Sequence, residues 1–148
     1  MEKIRLTKEF HFEMAHALWN YNGSCKSIHG HSYKLFLTLI GTPNNNTEDS
    51  QYGMVADFSE IKKWIKTPIL DQFDHALLIS ENAQTHNLSS ISQMFDKLKI
   101  VNYQPTCENI LIDIVRKIKP LIPENLSLHS VKLCETATSY AEWFASDN

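Results

Sequence analysis

No apolar run in the sequence approaches the roughly 18 residues of a membrane-spanning helix, so no membrane partner is expected. Charge of one sign is equally scarce. The formal net charge is -3, which disfavours a nucleic-acid partner at the level of the overall field, though a local pocket for a small anion remains compatible with it. Cysteines are few, odd in number and widely spaced, at Cys25, Cys107 and Cys134. That is a poor disulfide framework and fits a reducing compartment, where a thiol has chemical uses. The stretch Met1-Glu2-Lys3-Ile4-Arg5 enters a mixed polar and apolar pattern with no apolar h-region. Hydrophobic residues at 43% and charged residues at 21% are ordinary for a globular chain. The expectation is a cytoplasmic protein with one domain over residues 1–148.

What the chain has in excess is histidine, seven in all. The hydrophobic pattern says where some of them fall. Leu6, Phe10, Phe12 and Met14 share one phase of an alternating stretch, and His16 continues it. A second strand is predicted from about His29 to Ile40, with Tyr33, Leu35, Leu37 and Leu39 on one side. After the polar loop 41–50, Asp57 and Glu60 mark a helix start ahead of Ile61, Trp64 and Ile65. The signal between Ser80 and Tyr103 is weak, with a short helix expected over Ser90–Leu98. Pro105-Thr106 opens a helix with an apolar face at Ile110, Leu111, Ile114, Val115 and Ile118, stopped by Pro120 and Pro123. Strands at about Ser127–Glu135 and Tyr140–Ala145 close the chain. The order β-β-α-α-β-β implies an α+β domain, an antiparallel sheet with two main helices on one face.

His29 and His31, two apart on a strand, point to the same face, and Gly30 between them would allow a close approach by another group. If the first two strands pair, with Asn20–Ser27 as their loop, His16 joins them at one sheet end. Three neutral imidazoles suit Zn²⁺ and leave its fourth position open, the mark of a catalytic site. Ordinary polar strand-end histidines are the alternative, and the third histidine on the matching phase favours the metal. Cys25 lies in the intervening loop. Near Zn²⁺ its thiol would ionise and serve as base or nucleophile, or it would be a fourth ligand or a passive side chain. Cys107 and Cys134 sit inside a helix and a strand and read as small buried hydrophobes.

Asp74-His75 would be an oriented proton-transfer pair, or a cap or surface pair. Glu135 shares the phase of Val131 and Leu133, and a carboxylate there needs a partner. Its two oxygens match a heterocycle with an amino group beside a ring N–H, or an internal salt bridge or cap. His11, His86 and His129 read as structural or exposed.

Six collinear blocks now stand out: Phe12-Glu13-Met14-Ala15-His16; Cys25 three residues ahead of His29-Gly30-His31; Met54-Val55-Ala56-Asp57-Phe58; Phe73-Asp74-His75; Pro105-Thr106-Cys107-Glu108-Asn109; and Cys134-Glu135-Thr136-Ala137-Thr138. Together they resemble the 6-pyruvoyltetrahydropterin synthase family over nearly the whole chain. The resemblance implies a tunnelling fold (T-fold) whose subunits close into barrels as trimers, often stacked as hexamers, so a homo-oligomer. It implies Zn²⁺ at His16, His29 and His31, the catalytic cysteine at Cys25, the proton-relay pair at Asp74 and His75, and a pterin anchor at Glu135. Thr106 and Glu108 match its second pterin-side motif, although both also suit a helix N-terminus.

The short gap between Cys25 and His29 resembles the bacterial branch that forms 6-carboxytetrahydropterin in 7-deazaguanine and queuosine biosynthesis. The expected reaction converts 7,8-dihydroneopterin triphosphate to that product with release of acetaldehyde and triphosphate. Elimination of triphosphate alone, giving the pyruvoyl product, is the alternative within the family. A zinc-stabilised oligomeric binding module and a zinc hydrolase are alternatives outside it. Two departures are noted: Ala76 stands where bacterial members often have a second histidine, and the 80–103 segment is longer than in compact members.

Overall fold

The computed structural model describes residues 1–83 and 88–148; His86 lies outside them. Two long strands, β1 (Ile4–Ala17) and β2 (His29–Gly41), form an antiparallel hairpin in which His16 faces His29 and Met14 faces His31. Strict alternation explains the pairing. Phe10, Phe12, Met14 and His16 are buried while Glu9, His11 and Glu13 are exposed, so slipping by one residue would invert both sets. Beyond β2 follow β5 (Ser127–Cys134) and β6 (Tyr140–Phe144), both antiparallel. On the other side of β1 lie β3 (Ala76–Ser80) and β4 (Leu98–Val101), giving the order β4-β3-β1-β2-β5-β6.

Helix α1 (Phe58–Ile65) starts where expected, with the Asp57 carboxylate accepting from Ser59 N–H at 2.6 Å. Pro68 has no N–H to continue it, and the chain widens into a π-type turn over Lys66–Leu70 before the short α2 (Asp71–Phe73). Helix α3 (Leu88–Met94) follows β3. Helix α4 (Cys107–Ile118) is capped by Thr106, whose hydroxyl accepts from Asn109 N–H at 3.3 Å. Ile61 and Ile65 of α1 and Ile110 and Ile114 of α4 pack on Phe12, Tyr33, Leu35 and Leu37 of the sheet. Each such fully buried side chain contributes about 1.5–3 kcal/mol, and Leu37→Asp would place an unpaired carboxylate in this layer.

The α+β architecture with its two main helices on one face is as expected, but the sheet has two more strands. β3 pairs with β1, and β4 with β3, in parallel. Where a helix was expected over Ser90–Leu98, the helix ends at Met94 and Leu98 begins a strand. Leu77, Ile79 and Leu88 form a second small apolar cluster. Ala76 is buried in the main core opposite Met14, where its small side chain fits.

Candidate metal centre

Cross-strand pairing sets the site. His16 and His29 are direct partners and His31 is two residues along β2, so all three rings emerge on one face at one end of the hairpin. Their nearest ring nitrogens lie within 4.8 Å of one another, the one group among the described residues able to hold a metal. Two backbone carbonyls fix the tautomers. Nδ1 of His16 lies 2.7 Å from the Pro105 carbonyl and Nδ1 of His29 lies 2.8 Å from the Ser27 carbonyl. A carbonyl only accepts, so each Nδ1 carries the hydrogen and, in the neutral ring, each Nε2 presents a lone pair.

Those lone pairs meet head-on. His16 Nε2 and His29 Nε2 are 3.1 Å apart, while His31 Nε2 is buried without a hydrogen-bond partner. The Glu135 carboxylate adds a further acceptor, 3.5 Å from His16 Nε2 and 3.9 Å from His31 Nε2. Converging acceptors repel unless a cation lies among them. Nitrogens bound to one tetrahedral Zn²⁺ at 2.0–2.1 Å stand about 3.3 Å apart, close to the His16–His29 spacing. The donor set therefore fits Zn²⁺ with an open position. His16, only 2% exposed, is held below the usual histidine value chiefly by burial, against the opposing pull of the Pro105 carbonyl and Glu135. It is thereby kept in the neutral, ligating form.

Glu135 follows the last residue of β5, and its backbone N–H donates to Ser139 O at 3.0 Å across the turn to β6. Its side chain is 24% exposed, open on one side, and accepts from Tyr33 Oη at 3.4 Å. Tyr33 was not singled out from the sequence as a site residue, although it continues the phase of His29 and His31. It is fully buried, stacks on Phe12 at 5.2 Å and meets the His31 ring edge-on at 5.6 Å. Burial, reinforced by Glu135, pushes its phenol far above the ordinary tyrosine value, so it stays a donor.

Cys25 sits half-buried in a short 3-10 turn (Ser24–Lys26) in the loop between the ligand strands. Its carbonyl accepts from Leu18 N–H at 2.9 Å, which ties the turn to the end of β1 just past His16. Trp19 and Gln104 exchange two hydrogen bonds, 3.0 and 2.7 Å, tying this loop to the segment that carries Pro105. Cys107 is half-buried and points to Leu133 O at 3.4 Å; burial, then Glu135, pushes its thiol up to about 12. It stays protonated and inert. Thr106 serves as the α4 cap, and Glu108 is exposed in the first turn. A Cβ at Gly30 would meet nothing closer than Met14 O at 3.5 Å, so no protein group among the described residues crowds that position.

The structure does not bring Asp74 and His75 to this cluster. They sit on the β3 side of β1, whereas His29 and His31 are on its β2 side. Asp74 Oδ1 accepts from Glu13 N–H at 2.9 Å, and His75 N–H donates to Glu13 O at 2.6 Å. Glu13 is three residues, about 10 Å of strand, before His16. Asp74 Oδ2 holds His75 Nδ1 at 3.0 Å, and the imidazole is 79% exposed on a backbone with φ of 59°, a strained value for a non-glycine residue. The dyad borders a separate open cleft of about 600 Å³ with Ala15, Ile28 and Phe95. Of the other histidines, His11 is exposed beside Glu9 at 3.0 Å, and His129 lies edge-on to Phe144 at 6.1 Å.

Comparison with known proteins bears on the family and the fold. The family model described as 6-pyruvoyl tetrahydropterin synthase matches residues 5–146. A 6-carboxy-5,6,7,8-tetrahydropterin synthase of Haemophilus influenzae is 35% identical, covering 95% of this chain and 98% of that protein. The protein of the same name from Synechocystis is 32% identical over 93% and 91% of the two chains. Among solved structures, an uncharacterized protein from Wolinella succinogenes superposes with a TM-score of 0.79 at 21% identity, over 98% and 99% of the chains. The 6-pyruvoyl tetrahydropterin synthase of Caenorhabditis elegans gives 0.69 at 23% identity, over 98% and 97%. At these identities the two structures speak to fold alone. With the family model spanning nearly every residue and bacterial relatives matching end to end, the chain belongs to the 6-pyruvoyl tetrahydropterin synthase family.

Proposed function

We propose that the chain is a zinc-dependent lyase that converts 7,8-dihydroneopterin triphosphate, with one water, to 6-carboxytetrahydropterin, acetaldehyde and triphosphate, a step of 7-deazaguanine and queuosine biosynthesis in the cytoplasm. The observation that carries this reading is the convergence of three Nε2 atoms on one point with the Glu135 carboxylate alongside. The names of the bacterial relatives support the choice of product.

His16, His29 and His31 would hold the metal through Nε2. Bound there, Zn²⁺ supplies Lewis acidity toward the hydroxyl and carbonyl oxygens of the substrate side chain. Glu135 accepts hydrogen bonds from the amino group and ring N–H of the pterin, and Tyr33 steadies the carboxylate from behind. Thr106 and Glu108, at the α4 N-terminus, would contact the pterin ring. Cys25, as thiolate, takes a proton from a side-chain carbon, and His75, oriented by Asp74, exchanges protons at the neighbouring oxygen. Since one chain keeps that dyad away from its own histidines, the working site takes Asp74 and His75 from a neighbouring copy. A homo-oligomer built from trimers, stacked as a hexamer, is the form proposed.

Purified protein should carry one Zn²⁺ per chain. Cys25→Ala should keep the metal and lose turnover; full turnover in that variant would sink the proposal. Chelation should silence the enzyme while leaving it folded, because the main apolar core includes none of the three histidines. Unfolding on chelation would instead indicate a structural zinc site.

A further inference from the structure

Strand β4 brings one side chain, Lys99, that the proposed chemistry leaves without a part. Lys99 pairs with Leu78, a main-core residue, so it stands half-buried on the helix-bearing side of the sheet. Its ammonium donates to the neutral Gln72 Oε1 at 2.5 Å and makes no ion pair among the described residues. Burial, then the charges of Lys117 and Lys97, lowers its pKa against the opposing pull of Asp113. Lys117 has one carboxylate partner, Asp113 at 2.6 Å, and that oxygen also accepts from Tyr103 Oη at 2.9 Å. Asp113 acts on Lys99 as well, so this one carboxylate serves both Lys99 and Lys117.

Gln72 and Lys117 border an open cleft of about 590 Å³ with Lys63, Trp64, Thr67, Pro68 and Leu121, and Lys99 reaches it only through Gln72. That volume lies in the range of small-molecule sites. The cleft is at the far end of α4 from His16: the helix has 12 residues and so extends about 18 Å. Lys63 is exposed and has no ion pair among the described residues. Lysines are point-charge partners for phosphate, and Trp64, partly buried against the main core, puts an indole in the same wall for a flat ring to contact.

We propose that this cleft is a second binding site, for a small ligand in which a di- or triphosphate chain is joined to a planar ring. That chemistry is shared by nucleoside phosphates and pterin triphosphates, and the proposal is independent of the zinc lyase assignment.

The test is titration of the zinc-loaded, full-length protein with ADP and with inorganic pyrophosphate. Binding is read by calorimetry and by tryptophan fluorescence, with Trp64→Phe as reference for the signal of Trp19 and Trp143. ADP should bind with a Kd below about 1 mM and perturb fluorescence in a way that Trp64→Phe abolishes. Lys63→Gln/Lys99→Gln should weaken both ligands about tenfold with zinc content and circular dichroism unchanged, as expected for removing two partly screened charges. Lys63→Gln alone, at an exposed position, should act in the same direction and serves if the double variant loses structure. Trp64→Phe should weaken ADP more than pyrophosphate. A parallel titration with dihydroneopterin triphosphate names the source, as the tighter of the two ligands. Absence of saturation by either ligand, a response that survives Trp64→Phe, or affinities indifferent to the lysine variants would each overturn the proposal.

Discussion

His16 and His75 both lie beside β1, yet the chain treats them in opposite ways. His16 is 2% exposed, locked through Nδ1 by a backbone carbonyl and aimed at two other imidazoles. His75 is 79% exposed, on a strained backbone, with Asp74 as its only side-chain partner among the described residues. The first is a complete donor set preorganised within one chain. The second is an oriented acid/base group with nothing of its own to act on. A half-buried cluster of converging acceptors calls for a cation, whereas an exposed dyad does not. The difference teaches that one strand can border both a converging donor set and an exposed dyad, and under the proposed function the two meet only across a subunit boundary.

The widest break in this contrast should come from the ligands. His29→Ala should abolish stoichiometric zinc, by metal analysis, and reduce turnover by about 10⁴-fold or more. Cys25→Ala comes next, with about 10³-fold lost from kcat and zinc retained. His75→Asn should cost about 10²–10³-fold in kcat with zinc content unchanged, and flatten one limb of the pH profile. Mixing Cys25→Ala with His75→Asn protein should restore part of the activity if the two residues meet across a subunit boundary; no recovery after confirmed subunit exchange would contradict that. Tyr33→Phe should be milder, raising KM a few-fold while kcat and zinc content change little, because one long hydrogen bond to Glu135 is lost.

The smallest effect concerns acid stability. Burial pushes the Asp74 carboxyl up, but the Glu13 N–H and His75 outweigh it and hold the carboxyl below its usual value. The folded value is therefore depressed, so its stabilisation is complete above the unfolded value of about 3.9 and is lost as pH falls through the folded one. The Tm gap between wild type and Asp74→Asn should be present at neutral pH and close under acid conditions. A gap independent of pH would contradict that assignment.

Why the histidine site was legible and the dyad's surroundings were not follows from how each is encoded. Alternation runs unbroken from Phe10 to His16 and from His29 to Leu39, so period two alone places the three ligands on one face. Glu135 follows from the phase of Val131 and Leu133 in the same way. Strand β3 offers no such rhythm, because all five of its residues are buried, and β4 has only four. Parallel pairing of such short segments depends on distant partners rather than on local pattern. The Pro105 and Ser27 carbonyls that set the tautomers are backbone atoms and leave no mark in residue type. Tyr33 was within reach, two positions past His31 on the ligand phase.

The most direct test is to incubate the zinc-loaded protein with 7,8-dihydroneopterin triphosphate and identify the products by mass spectrometry. The account predicts 6-carboxytetrahydropterin and acetaldehyde in equal amounts, formed only with zinc bound. A 6-pyruvoyl product without acetaldehyde, or equal turnover after the metal is removed, would contradict it.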